Sequence, residues 1–175
     1  LKISGLDTRK TMGSFDMTRL NQRLLGQLKN LRRGEFIKRR ENVLAFGNPG
    51  GGKTHLLTAI AQELCEKEHR VLFKTCEELV ELLLIQKAER SLAAYLKKLD
   101  RFELIFIDDI GYVQKSREEM EVLFSLLAHR YERGSVMITS NLMFSEWEKI
   151  FKDPMTTVAV IDRVVHHSVI LDMNI

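Results

Sequence analysis

Eight residues, Gly47-Asn-Pro-Gly-Gly-Gly-Lys53-Thr54, restrict this chain more than any other stretch. They satisfy the pattern GxxxxGK[ST] in full, between a short apolar run, Val43 to Phe46, and a helical stretch carrying Leu56, Leu57, Ile60 and Leu64. Glycines let such a loop fold back with its N–H groups turned inward, and the helix that follows adds the positive end of its dipole. Strand, loop and helix together then make an anion site suited to a polyphosphate. In that reading Gly47, Asn48, Pro49, Gly50, Gly51 and Gly52 wrap a nucleotide, Lys53 reaches the β- and γ-phosphates, and the Thr54 hydroxyl ligates Mg²⁺. His55 follows in the first turn of the helix.

The same grammar recurs down the chain. Val71 to Lys74 runs into Thr75 with Glu78 three residues later, Leu104 to Ile107 is followed by Ser116 with Glu119, and Val136 to Ser140 by Ser145 with Glu148. Each pair has the spacing of a capping box at a helix start. A last apolar run, Val169 to Leu171, makes five strands alternating with helices. That pattern predicts an α/β domain of three layers, a P-loop NTPase fold around a five-stranded, mostly parallel sheet, because parallel neighbours need crossover helices. Ahead of it, residues 17–40 read as one amphipathic helix on Leu20, Leu24, Leu25, Leu28 and Leu31. The chain is therefore divided into a basic lead-in, 1–41, and an ATPase core, 42–175. Its 175 residues suit a single domain.

In parallel sheets ligands bind beyond the carboxyl ends of the strands, and the remaining candidates follow strands. Leu104-Ile-Phe-Ile107 ends in Asp108 and Asp109. Alone this could be a strand entering a solvated acidic turn; some 55 residues beyond a P-loop it reads as the strand whose Asp108 helps hold Mg²⁺. Asp109 is the candidate base for the attacking water. Asn141, after the fourth strand, is either a turn residue or an amide beside the γ-phosphate. Arg163, just before the last strand, is either paired with Asp162 on the surface or aimed at a transferring phosphoryl group.

Composition sets outer limits. With 45% hydrophobic and 29% charged residues this is a globular chain, and it has no apolar run long enough to span a membrane and no secretory pattern, so a cytoplasmic setting is expected. Cys65 and Cys76 lack metal or redox spacing and read as buried thiols. The net charge is only +3, yet Arg19 to Arg40 concentrates eight basic residues against Glu35 alone.

Taken in order, the blocks SFDMTRL, RRENVLAFGNPGGGKTHL, LIFIDDIGYV, RYERGSVMITSN, FSEWEKIF and IDRVVHHS resemble the AAA+ ATPases of the IstB and DnaC group. IstB proteins assist insertion-sequence transposases, and DnaC loads a replicative helicase. The IDDIGY, RYE, TSN and DRVVHH blocks are more similar to IstB. The resemblance implies ATP and Mg²⁺ as cofactors, Lys53, Thr54, Asp108 and Asp109 at the nucleotide, and Asn141 as the polar sensor of the γ-phosphate. Arg163 becomes a finger reaching a neighbouring subunit's ATP. It further implies an ATP-dependent homo-oligomer on duplex DNA, held by backbone contacts, with a transposase as partner. Asp109 departs from the glutamate common at its position; being one methylene shorter, it implies slow hydrolysis. Because the chain stops just past the fifth strand, no C-terminal lid domain is expected within it, and an N-terminal region of the family is expected to lie outside it. The runner-up is a DnaC-like helicase loader. A small-molecule kinase would need an arginine-bearing lid insertion, and none is visible.

For DNA the resemblance points to Lys87 and Arg90, in the segment after the second strand, alongside the basic lead-in; a solvated face is the competing reading. Phe15 reads either as an adenine contact or as a core anchor. His166 and His167 read as interface or core rather than metal ligands.

Overall fold

Each of the five apolar runs is a strand in the computed structural model, which describes residues 5–111 and 116–174. They are β1 (Asn42–Phe46), β2 (Val71–Thr75), β3 (Leu104–Ile110), β4 (Ser135–Ser140) and β5 (Ser168–Asp172). They form one sheet in the order β2-β3-β4-β1-β5, and every pairing is parallel. A parallel sheet covered on both faces has strands that are apolar throughout. Side chains of β1 accordingly alternate between two cores: Val43 and Ala45 point to one, Leu44 and Phe46 to the other.

Helices α1 (Gln22–Arg32), α2 (Glu35–Lys38) and α3 (Lys53–Glu66) fill the first core with the arm that precedes them. The second holds α4 (Cys76–Ala88), α5 (Leu92–Leu99), α6 (Arg117–Arg130), α7 (Glu148–Phe151) and α8 (Pro154–Val165). Two of the anticipated caps form: the Thr75 side chain accepts from the Glu78 N–H, and Ser116 with Glu119 makes a complete capping box. None of the described helices is long and apolar enough to cross a membrane.

Three expectations need correction. Residues 17–40 are not one helix. Asp16 caps a 3-10 turn over Met17–Arg19, Leu20 is extended, Asn21 caps α1 by accepting from the Leu24 N–H, and Gly34 at φ +77° separates α1 from α2. Side-chain caps and a left-handed glycine outweigh the continuous leucine pattern, although Leu24, Leu28 and Leu31 are buried. Ser145 caps nothing. It lies inside a 3-10 turn, Phe144–Glu146, because Trp147 is fully buried against Phe46 and Phe151 with its indole N–H on the Leu142 carbonyl, 3.0 Å. The short α7 starts behind Trp147 with no side-chain cap, and the capped start in this segment is Asp153, which accepts from the Met155 N–H ahead of α8 and Pro154. Lastly, Cys76 is buried but Cys65 is only half-buried.

The amino ends of the strands are tied by two buried polar side chains. Asn42 donates to the Val164 carbonyl at 3.0 Å and accepts from the Val136 N–H at 2.9 Å, which joins β1, β4 and α8. Arg130, 2% exposed, donates to the carbonyls of Phe102 and Ser135 at 2.8 Å each, and to those of Leu99 and Glu103 at 3.3 Å. Burial pushes its pKa down to about 10, against the pull of Asp100. Gly134 leaves room for this guanidinium: a Cβ there would collide with Nη2. Arg130→Met should lower unfolding free energy by about 3 kcal/mol, since carbonyls lose buried donors. Gly134→Ala should cost about 1–3 kcal/mol by overpacking. Urea unfolding of both singles and the double should give a sum smaller than additive, because the two changes damage one contact.

Candidate nucleotide site

All carboxyl ends of the parallel strands lie on one edge, with Phe46 level with Ser140 and Asp172, and Thr75 level with Asp108. The glycine-rich loop leaves β1 there. Gly50 and Gly52 sit at φ +81° and +86°, a left-handed region open to glycine at little cost, and Gly52 caps α3. Lys53, only 7% exposed, folds over the loop and donates to the carbonyls of Gly47 and Asn48 at 2.8 and 2.9 Å, two of its three donors. Burial lowers its pKa, while Asp109 and Asp108 act to raise it.

Strand β4 lies between β1 and β3, so the loop and the acidic strand end face one another across its tip. Asp108 Oδ1 accepts from the Thr54 hydroxyl at 2.8 Å and from the Thr139 hydroxyl at 2.6 Å. Thr139 also accepts from the Asp109 N–H at 2.7 Å. The register between β3 and β4 slips between Ile107 and Ile110, and Asp109 occupies the slip at φ +69°. A bulge of this kind re-aims a side chain, and a left-handed backbone is strained for any residue other than glycine.

These elements enclose a cavity of about 560 Å³. Of the residues singled out from sequence, Pro49, Gly50, Gly52, Lys53, Thr54, His55, Asp108, Asp109 and Asn141 line it. His55 also turns to the arm, with Nε2 2.9 Å from Ser14 Oγ and 3.1 Å from the Thr11 carbonyl oxygen. Phe15 is a buried core residue, edge-on to His55 and packed on Gly52.

Other candidates lie elsewhere. Arg163 is in the last turn of α8, at the amino edge of the sheet, where Asn42 holds the neighbouring Val164 carbonyl. One strand of five residues, roughly 15 Å, separates that edge from the loop. Its guanidinium is 3.1 Å from Asp162 and lies over the Tyr131 ring, 5.2 Å from its centre. His166 packs on Tyr131 and His167. Lys87 pairs with Glu121 at 3.1 Å, and exposed Arg90 sits just past α4 with a left-handed backbone. Three lining residues were not assigned to this site from sequence: Thr139, Lys10 and Arg19, the last read only as part of the basic lead-in. Thr139 had a signal, standing near the end of the fourth strand two residues ahead of Asn141; Arg19 falls within the SFDMTRL block, where no nucleotide role was read for it, and Lys10 belongs to no motif.

Comparison with known proteins decides the family. The profile of the IstB-like ATP binding proteins matches residues 1–175. This chain belongs to that family. It is 42% identical over 167 residues to an insertion-sequence ATP-binding protein of Sinorhizobium fredii, covering 95% of this chain and 56% of that protein. It is 36% identical to the ATP-binding protein of insertion sequence IS21 from Pseudomonas aeruginosa, covering 99% and 66%. The IstB-like chain thus spans less than two thirds of either relative. Its fold is that of the DnaC helicase loader, which superposes with a TM-score of 0.78 at 18% identity over 95% of this chain and 99% of the other.

Thr139→Val should cost about 1–3 kcal/mol in unfolding free energy without nucleotide, because the Asp109 N–H and the Asp108 carboxylate both lose a partner. Thr139→Ser should recover most of that loss. Equal melting temperatures for Val, Ser and the parent chain would contradict the bridging role.

Proposed function

We propose that this chain is the ATPase domain of an insertion-sequence helper, which binds ATP with Mg²⁺, assembles with copies of itself on duplex DNA, and assists a transposase. The observation that carries the nucleotide reading is the 2.8 Å contact between Thr54 and Asp108, which brings the glycine-rich loop and the acidic strand end to one point. A hydroxyl and a carboxylate are hard oxygen donors of the kind Mg²⁺ prefers, and Mg²⁺ commonly takes few protein ligands beside phosphates. When bound there it would neutralise charge developing on the phosphates.

The chain's own groups divide the remaining work. Backbone N–H groups of the loop and the start of α3 hold the phosphates, and Lys53 exchanges its loop carbonyls for phosphate oxygens. Asp109 orients the attacking water and accepts its proton, and Asn141 senses the γ-phosphate from the tip of β4. Arg163 serves a neighbour. It stands at the far edge of its own sheet, with half-exposed side chain, so a second copy must present it. Hydrolysis is then completed between subunits, and ATP acts as assembly glue and timer. The insertion-sequence relatives support transposition as the process, and the DnaC-like fold keeps helicase loading as the alternative. DNA would be held by phosphate contacts from Lys87 and Arg90, and Lys87 has first to leave Glu121.

The test is ATP turnover with duplex DNA present. Lys53→Ala should abolish nucleotide binding. Arg163→Ala should keep affinity but lose about 10³-fold or more in rate. Mixing the two variants should restore part of the activity, since a Lys53→Ala subunit still lends its Arg163 to an intact pocket. If Arg163→Ala turns over normally, or loses nucleotide affinity as a monomer, action in trans is wrong.

A further inference from the structure

The cavity holds two cations that no part of the glycine-rich pattern supplies. Lys10 and Arg19 belong to the arm ahead of α1, yet both line the same space as Lys53 and Asp108. Arg19 is exposed; its Nη2 donates to the Gly50 carbonyl at 3.4 Å, the long limit of a hydrogen bond, and its Nη1 is 3.6 Å from where a Cβ on Gly52 would stand. Among the described residues neither side chain makes an ion pair within 4.0 Å. Asp16 is near Arg19, but its carboxylate is committed to the hydroxyl and N–H of Thr18, which hold its pKa below the ordinary range more than Arg19 does.

The arm that carries them is anchored. Leu6, Phe15 and Leu20 are buried in the core that holds α3, Phe15 packs on Gly52, Ser14 contacts His55 Nε2, and Gln62 of α3 donates to the Asp7 carbonyl. Its two cations are therefore presented at the loop by a packed element.

Charge balance says what they face. Fully ionised ATP with one Mg²⁺ carries two net negative charges, and Asp108 with Asp109 adds two more; Lys53 offsets one. Anions in a partly enclosed site must be paired, and guanidinium is well suited to forked donation onto phosphate. We infer that Arg19, assisted by Lys10, is a ligand of the nucleotide's outer phosphates supplied by the N-terminal arm, a reading that rests on this cavity being the ATP site. On binding, Arg19 gives up its long bond to the Gly50 carbonyl for phosphate oxygens, so phosphate binding and the position of the arm become linked.

The experiment is equilibrium binding of ATP, ADP and AMP, each with Mg²⁺, to the full chain and to Arg19→Ala, Arg19→Lys, Lys10→Ala and Lys53→Ala. Arg19→Ala should weaken ATP and ADP about tenfold or more and AMP much less, as expected for a charge-assisted hydrogen bond to the outer phosphates. Arg19→Lys should recover part of the loss, and Lys10→Ala should show a smaller loss with the same order among nucleotides. Unchanged affinity in Arg19→Ala overturns the inference, and so does an equal loss for all three nucleotides, which would place Arg19 on the base, ribose or α-phosphate that they share. Should Arg19→Ala shift the melting temperature, Arg19→Gln keeps a donor for Gly50 and removes only the charge. Failure of the ATP-site reading looks different: the parent chain would not bind ATP, or Lys53→Ala would bind it as well as the parent.

Discussion

One carboxylate oxygen holds the site together. Asp108 Oδ1 receives a hydroxyl from α3 and a hydroxyl from β4, while the second of these also fixes the backbone of Asp109. Three elements that are distant in sequence meet at that atom: the helix behind the loop, the strand beyond it, and the strand between. The arrangement depends on topology, since β1 and β3 are not neighbours and only the strand order places β4 between them. A hydrogen-bonded cluster in a partly dry site is also rigid, because each member satisfies the next, and a rigid arrangement is what electrostatic chemistry on phosphates requires.

The opposite edge of the sheet is built by different means. There Asn42 and Arg130 join strand starts to helix ends through buried hydrogen bonds to backbone, and the carboxyl edge is left to loops. A buried guanidinium is costly unless its donors are met, and four carbonyls meet most of this one's. The division lets the glycine-rich loop and the left-handed Asp109 persist, since the strain at one end is carried by ordered packing at the other.

How much of this was legible before the structure follows from the physics of each element. The central strands β1, β3 and β4, covered on both faces, read as apolar runs, and the edge strands β2 and β5 keep shorter ones, so all five could be located, while the loop pattern led to Lys53 and Thr54, which line the cavity. The lead-in misled because Leu20, Leu24, Leu28 and Leu31 keep helical spacing through a break made by Asp16, Asn21 and Gly34, whose hydrogen bonds and backbone angles are local and carry no hydrophobic signal. Ser145 misled because a buried tryptophan two residues on sets the path of the chain. Thr139 was passed over for Asn141, since spacing cannot tell which residue at a strand tip faces which neighbour. The register slip that turns Asp109 is invisible for the same reason. Lys10 and Arg19 reach the cavity through packing of the arm on α3, a long-range contact that neither the SFDMTRL block nor the basic lead-in announces.

The separation of Asp109 and Arg163 has a consequence for what one copy can do. A cation that stabilises a transferring phosphoryl group must come within hydrogen-bond reach of its oxygens, and β1 alone holds Arg163 about a strand's length from the loop. Bending the chain to bring it closer would break Asn42 from Val164 and pull α8 off the sheet, a cost spread through the core. A second copy could present the same side chain with no such loss, because among the described residues Arg163 is held by Asp162 and the face of Tyr131 and is half exposed. On the role proposed for Arg163, with the cavity at one edge and this arginine at the other, each copy would carry two unlike halves of a site, and a head-to-tail contact would be the arrangement that joins them.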